Sequence, residues 1–271
     1  MARVRDAAAA SGWTEELWRL PLMQFRYIAD NKNPAIILQR MPLLRQELAA
    51  HGVRLSWAQC LMLRFQDKDA AAKVAKLQSA MDSLPISLDY LHVLTSAPTL
   101  MLLSDLRSVL GRRVAAMQLL YPQLDLERVI HAQPILLTLT EEALAARWAS
   151  LQKSCGLCDD DIRALVQHQP RVLTLSPGVI GWRVQQLQAY ESSRELAGAT
   201  SATFSSWGRV LSAASYRVWR LRYLSVAANT RYEADTWVSM NEERFAALSP
   251  GYSSWLASSP IPSQAYRDGH A

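Results

Sequence analysis

Apolar residues in the middle of the chain recur in short helical runs, and each run is followed by a proline. In the segment "DDDIRALVQHQ", Ile162, Leu165 and Val166 stand at i, i+3 and i+4, which is the spacing of one buried helix face. Three aspartates at its start suit the positive end of a helix dipole. Pro170 lacks an amide proton and disfavours helical geometry in the preceding residue, so we predict that the helix ends at Gln169. The proline then begins a short turn of 3₁₀ or α type.

A second, longer helix is predicted to follow this turn. Ser176 is a suitable N-cap, and Pro177 occupies the first helical position, where proline is favoured. The segment "PGVIGWRVQQLQAY" then carries apolar residues at helical spacing, at Val179, Ile180, Val184 and Leu187. The unit is therefore predicted to be a helix, a proline-led turn and a second helix.

The sequence contains three copies of this unit at a spacing of 36 residues. The prolines are Pro98, Pro134 and Pro170. Apolar residues align on both sides of these prolines, and a Ser or Thr closes each copy. The aligned sets are Val93, Val129 and Leu165 (five before the proline), Leu94, Ile130 and Val166 (four before), Leu100, Leu136 and Val172 (two after), Leu103, Leu139 and Leu175 (five after), and the closing Ser104, Thr140 and Ser176. A fixed period of this length is typical of repeat architectures, whose units bury their apolar faces only against neighbours.

Degenerate copies flank these three. Residues 33–53 supply a proline, an apolar run and a helix predicted to end at Gly52. "LSWAQCLMLRF" and "DAAAKVAKLQSAMDSL" form a prolineless pair of helices, and a last unit places Tyr216 where the proline would be. The prediction is an all-α solenoid of about five or six helix–3₁₀–helix repeats.

Three segments are expected along the chain. Residues 1–20 are interpreted as an N-terminal extension or targeting remnant, because their Arg and Ala content is compatible with the end of an organellar transit peptide. Residues 21–250 form the repeat domain and residues 251–271 a C-terminal tail. No apolar run approaches the roughly 18 residues of a membrane helix, so no membrane partner is expected.

Positive charge concentrates in the second half of the chain. The net charge is +5, but residues 161–232 alone hold nine arginines against three acids, and no acid occurs from Leu196 to Tyr232. Arginine offers a planar fork that suits phosphate oxygens, and interleaved Trp and Tyr rings suit base stacking. Most of these rings are expected to pack between helices. A GC-rich codon bias is an alternative source of the excess of arginine over lysine.

Other chemistry-bearing patterns are weak. "CGLC" (155–158) lacks the further paired ligands of a zinc site, and in the repeat register Gly156 and Leu157 form the turn between helices. No phosphate-binding glycine loop, nucleophile elbow or paired carboxylates appear. We therefore expect no enzyme, no cofactor, no metal site and no small-molecule substrate.

The segments "GLCDDDIRALVQHQPRVLTLSP" and "RVQQLQAY" resemble the repeat of the mitochondrial transcription termination factor (mTERF) family. The segment that ends in "NEERFAALSP" is similar to the last unit of that family, and the resemblance covers Leu91 to Pro250. It implies helix–3₁₀–helix units stacked into a curved left-handed superhelix with a basic concave face. It also implies an organellar protein that binds DNA or RNA in transcription termination, intron splicing or ribosome biogenesis. The prolineless units and the Ser/Ala-rich stretch after Tyr190 depart from the family pattern.

These features together predict a track of arginines along the concave wall. Arg147 and Arg183 lie 36 residues apart, at equivalent places in successive second helices. Arg171, directly after its proline, is expected to support the turn instead. The candidate phosphate-binding residues are Arg112, Arg113, Arg147, Arg183, Arg209, Arg217, Arg220 and Arg222.

The expected function follows from this track. We expect a mitochondrial (alternatively chloroplast) protein that holds RNA, as an rRNA-binding component of a mitochondrial ribosome beside ribosomal proteins. A regulatory factor on organellar DNA or transcripts, and a protein-interaction solenoid without nucleic acid, remain the alternatives.

Overall fold

The computed structural model describes residues 34–56, 59–60, 63, 70–196, 204–227, 229 and 231–262. The secondary structure of these described residues consists of helices joined by turns and loops, with no strand. The chain divides after Ala116 into two compact units. The first unit contains α1 (Pro34–Ala50), α2 (Ala70–Asp82), α3 (Tyr90–Ser96), a first 3₁₀ helix (Pro98–Leu102) and most of α4 (Leu106–Leu120). The all-α prediction is confirmed.

The second unit begins near the end of α4. Its elements are α5 (Leu126–Ala132), a second 3₁₀ helix (Pro134–Thr138), α6 (Glu141–Cys155), α7 (Asp159–His168), a third 3₁₀ helix (Pro170–Thr174), α8 (Pro177–Leu196), α9 (Phe204–Ser212), α10 (Ser215–Val226), α11 (Ala234–Ser239), α12 (Glu242–Leu248) and α13 (Tyr252–Ser258).

The three proline-anchored copies fold as the sequence predicts. Their 3₁₀ helices begin at Pro98, Pro134 and Pro170 and therefore keep the 36-residue spacing. In each copy the residue before the proline ends the first helix, and its carbonyl accepts the first hydrogen bond of the 3₁₀ helix. The proline ring can begin this tighter helix because an N–H at that position would have no partner in any case.

Side-chain caps fix where the second helices begin. The hydroxyl of Ser176 accepts a hydrogen bond from the backbone N–H of Val179, which confirms the predicted N-cap, and the hydroxyl of Thr140 accepts from the N–H of Ala143 in the same way. In the first copy the Asp105 carboxylate, rather than Ser104, takes this role by accepting from the N–H of Ser108 at 3.2 Å.

Equivalent elements of successive copies contact one another within the second unit. Helix α6 packs against α8, and α8 packs against α10. The first helices α5 and α7 are in contact, as are the second and third 3₁₀ helices. The aligned apolar positions on either side of each proline are buried here, for example Val129, Ile130 and Leu136. Burial against the neighbouring copy is what repeat architecture requires.

The degenerate copies differ from the prediction in two places. Helix α1 runs through Pro42 without a turn, although it ends just before Gly52, whose φ of 79° is the left-handed geometry of a helix stop. Helix α2 matches the predicted second helix, whereas most of residues 55–65 lies outside the described residues. In the last copy, α9 and α10 are separated by only Ala213 and Ala214, and Tyr216 lies inside α10 rather than at a proline-like turn.

The expected C-terminal tail is folded as far as residue 262. Helix α13 buries Tyr252 in the core of the second unit, and Trp255, Leu256 and Ile261 pack against that core. The indole Nε1 of Trp219 donates to the carbonyl of Ser259 at 3.0 Å. The folded core therefore extends beyond the predicted boundary at residue 250, because these apolar side chains complete it. Residues 1–20, predicted as an extension, lie outside the described residues.

Candidate nucleic-acid interface

The predicted arginines divide into buried and exposed side chains. Arg113, Arg147, Arg183 and Arg220 are buried, Arg217 is half-buried, and Arg112, Arg209 and Arg222 are exposed. A buried guanidinium must find hydrogen-bond acceptors inside the protein. Its contacts therefore show whether it supports the fold or faces a ligand.

Arg183 is enclosed by the last two helical copies. It lies on α8 with 1% of its surface exposed, and its Nη1 donates to the carbonyl of Leu211 in the last turn of α9. Its Nη2 donates to the hydroxyl of Ser215, at the start of α10, at 3.4 Å. The guanidinium therefore joins α8 to both helices of the next copy. The prediction that Arg183 faces an open wall is corrected.

Arg220 has a similar role in the next copy. Its Nη1 donates to the carbonyl of Met240, just after α11, at 2.8 Å, and its Nη2 pairs with the carboxylate of Glu242. The guanidinium carbon lies 4.2 Å from the centre of the Phe245 ring, so a cation–π contact covers one face. No portion of the side chain is exposed, and these partners offset the cost of burying its charge.

Arg147 is also buried, although it occupies the register position equivalent to Arg183. Its Nη1 donates to the carbonyl of Ala143 in its own helix at 2.8 Å. Burial lowers the pKa of this guanidinium. Nearby, the Tyr121 ring stacks on Trp148 with centroids 4.3 Å apart, and the Tyr121 hydroxyl donates to the carbonyl of Leu144. The repeat thus places Arg147 and Arg183 in equivalent interiors rather than along an exposed track.

Three arginines converge on the short helix α11, and we call Arg209, Arg217 and Arg220 the α11 arginine cluster. Arg209 pairs with Asp235 at the start of α11 at 3.1 Å. Arg217 and Arg220 donate to carbonyls at its other end, those of Val238 and Met240. Cations are favoured there because the last carbonyls of a helix carry its negative dipole end. Acids beyond Tyr232 thus neutralise some of the basic run that the sequence shows.

The edge of this cluster is open to solvent. Tyr216 is 41% exposed, and its hydroxyl accepts a hydrogen bond from Nε of Arg217 at 3.0 Å. The Arg217 guanidinium carbon lies 5.7 Å from the centre of the same ring. This exposed ring with a half-exposed cation beside it is the arrangement that suits a stacked base and an adjacent phosphate.

Arg222 belongs to a different face of α10. Two residues beyond Arg220, it lies about 200° further around the helix axis. Its side chain is exposed and contacts no acid or carbonyl among the described residues. One groove therefore cannot receive all three arginines of α10, which corrects the predicted single track.

The exposed cation Arg171 does not have the role that its sequence position predicts. It follows Pro170 in the third 3₁₀ helix, where its side chain was expected to support the turn. The turn is instead supported by the hydroxyl of Thr174, which donates to the Arg171 carbonyl at 2.8 Å. The Arg171 side chain is left exposed. It joins Arg112, Arg209 and Arg222 as an exposed arginine.

The aromatic rings mainly pack, as expected. Trp182 on α8, Trp219 on α10 and Trp255 on α13 follow one another in contact, with centroids 5.9 and 5.6 Å apart. Tyr232 meets Trp237 edge-on in the same core. These ring contacts stabilise the core of the second unit more than they offer platforms for bases.

The two neighbouring cysteines take structural places. Gly156, with φ 64°, caps α6, which confirms the predicted interhelix turn. Cys155 is the last residue of α6, and burial raises the pKa of its thiol to about 12. Cys158 precedes α7, and its Sγ lies 3.2 Å from a carboxylate oxygen of Asp161. Within the described ranges, no three His, Cys, Asp or Glu side chains gather as a metal site.

Comparisons of the chain with protein-family models, curated proteins and solved structures gave no match. Among the helices that the structure describes, none is long and apolar enough to cross a membrane.

Proposed function

We propose that this protein is an mTERF-like repeat protein that binds RNA, as an rRNA-binding component of a mitochondrial ribosome. In this proposal the repeats stack into a curved solenoid, and RNA binds through its phosphates. The supporting observation is the helix–3₁₀–helix unit, which occurs three times at 36-residue spacing beside exposed arginines. A regular array of units suits the regular spacing of phosphates.

The contacting residues differ from those the sequence favoured. Arg183, Arg220 and Arg147 are buried, so the phosphate contacts fall to the exposed or half-exposed Arg171, Arg209, Arg217 and Arg222. Tyr216 supplies a ring for one stacked base beside Arg217. Contacts of this kind recognise backbone and shape rather than base sequence.

The test is a salt titration of RNA binding. A fluorescent single-stranded RNA is titrated with wild type and with the variant Arg217→Ala/Arg222→Ala, with affinity measured by anisotropy at several salt concentrations. Each lost phosphate contact should reduce the slope of log K against log salt by about 0.7, so the double variant should lose between one and two units of slope. Arg128→Ala/Lys153→Ala removes the same charge from other exposed positions and is the matched control.

Equal binding by the double variant and wild type would contradict the proposed contacts. The ribosomal role is tested by sedimentation of tagged protein from mitochondrial lysate. Co-sedimentation with ribosomal particles that RNase treatment abolishes supports the proposal. Preference for duplex DNA in a competition titration would favour the regulatory alternative.

A protein-interaction solenoid is the second candidate, and a specific observation favours it. The acids that follow the basic run pair with Arg209 and Arg220, so the surface is less positive than the sequence indicates. Binding to a protein partner that persists unchanged at about 0.5 M salt, where phosphate contacts weaken, would select this function if RNA binding is not measurable.

A further inference from the structure

The first compact unit contains an open cleft that the sequence did not indicate. Its volume is about 790 Å³, and it lies between α2 and the segment that joins the first 3₁₀ helix to α4. Ligand sites of small molecules are commonly of this size. The residues that line it with charge or hydroxyl groups are Lys73, Lys76, Ser79, Ser104, Asp105 and Arg107.

One wall of the cleft is a polar face of α2. Lys73, Lys76 and Ser79 follow one another at three-residue steps, which places them along one side of the helix. The ammonium of Lys73 donates to the carbonyl of Met101 in the first 3₁₀ helix at 2.9 Å. This hydrogen bond fixes α2 against the opposite wall, while Lys76 is exposed and has no partner among the described residues.

The opposite wall carries one further cation and one carboxylate, and the carboxylate already accepts a hydrogen bond from the protein backbone. Arg107, in the first turn of α4, is exposed and has no partner in the described stretches of the chain. The Asp105 carboxylate caps α4 by accepting from the N–H of Ser108. Three cations thus share the lining with one acid, whose charge stabilises a helix start.

Lysine is scarce in this chain, which makes the lining unusual. The sequence has five lysines, and two of them line the cleft. Cations on two facing walls, with serine hydroxyls beside them, match a group that carries several acceptor oxygens pointing in different directions. Phosphate meets this description better than a planar carboxylate does.

We propose that this cleft binds phosphate groups of the RNA strand, with Lys76 and Arg107 holding them from opposite walls. The inference deepens the proposed function and rests on it, since RNA supplies the phosphate. It adds a second contact region in the first unit, distinct from the arginines of the second unit.

The experiment uses the full chain and two probes. Calorimetry with pyrophosphate measures the cleft itself, and anisotropy with a labelled single-stranded RNA measures the strand. Lys76→Ala/Arg107→Ala should weaken pyrophosphate at least tenfold and RNA several-fold. The variant Arg128→Ala/Lys153→Ala should leave pyrophosphate binding unchanged, and thermal melts verify that both variants fold.

The outcomes separate this proposal from the function on which it rests. Pyrophosphate that does not bind wild type, or binds the cleft variant equally well, overturns the phosphate site. Cleft-dependent pyrophosphate binding with RNA affinity unchanged in the cleft variant overturns the assignment of the phosphates to RNA. Cleft-dependent pyrophosphate binding by a protein that binds no RNA at all supports the phosphate site but refutes both the assignment of its phosphates to RNA and the proposed function.

Discussion

Replacing Arg183 by methionine separates a structural role from a phosphate-binding role. Methionine keeps much of the side-chain volume but removes the donors to the Leu211 carbonyl and the Ser215 hydroxyl. A buried acceptor that loses its donor costs about 1–3 kcal/mol. Removing a buried charge returns some of this cost, because the guanidinium no longer has to be desolvated. We therefore expect Arg183→Met to lower the free energy of unfolding by about 2 kcal/mol.

Urea denaturation followed by circular dichroism measures this change. A thermal melt gives a second measure. For a compact unit of this size, 1 kcal/mol shifts the melting temperature by about 2–4 °C, so Arg183→Met should lower it by about 4–8 °C. Hydrogen exchange should show faster opening of α9, because Arg183 holds its last turn. Arg222→Met is the control, since an exposed arginine should change stability by less than about 0.5 kcal/mol. An unchanged urea midpoint for Arg183→Met, or equal shifts in both variants, would refute the reasoning.

Three further changes test the local structure. Gly156→Ala forces alanine into a φ of 64° and should lower the free energy of unfolding by about 1 kcal/mol. Gly178→Ala, in the first turn of α8 with open space around it, is the control and should be neutral or stabilising. A loss of stability in both variants would contradict the turn geometry. Iodoacetamide at about pH 8 should modify exposed Cys158 at least about ten times faster than Cys155, because burial raises the thiol pKa of Cys155 to about 12. Mass spectrometry of single Cys→Ser variants measures the two rates, and equal rates would mean that Cys155 is accessible. Burial raises the pKa of the Tyr190 hydroxyl to about 12, above the tyrosine pKa of about 10 in the unfolded chain. The stability that this shift contributes should therefore be complete below about pH 10 and be lost between about pH 10 and 12. Tyr190→Phe should flatten the pH dependence of urea unfolding in that range, and a profile identical to wild type would count against the buried hydroxyl.

The repeat itself could be predicted from the sequence because its determinants are local. Proline at 98, 134 and 170 acts on the residues directly beside it, so the end of one helix and the start of the 3₁₀ helix follow from backbone chemistry. Pro42 shows the limit of this rule, since α1 continues through it. Packing against a neighbour can outweigh a missing hydrogen bond, and a single sequence does not display that neighbour.

The positions of the arginines were predicted wrongly because their surroundings depend on distant residues. Arg183 and Arg222 look alike in sequence, yet one reaches the carbonyl of Leu211 and the other faces solvent. The acids that neutralise Arg209 and Arg220 come 26 and 22 residues later, outside the basic run. Regular spacing indicates equivalence between positions, but it does not say whether they point inward or outward. The cleft beside α2 was missed for a related reason, because its two walls are brought together only by folding.

The contacts of Arg183 and Arg220 run forward along the chain, and this direction has a consequence for the order in which the second unit folds. Arg183 finds its carbonyl acceptor 28 residues further on, and Arg220 finds its acceptor 20 residues further on. Until the later elements are in place, each of these two charged side chains has to stay in water, so α9 and α10 supply the acceptors that enclose Arg183, and the segment after α11 supplies those that enclose Arg220. Helix α8 is then expected to complete its packing only when α9 and α10 have formed, and α10 only when the segment after α11 has formed, so the end of the second unit should fold as one cooperative block.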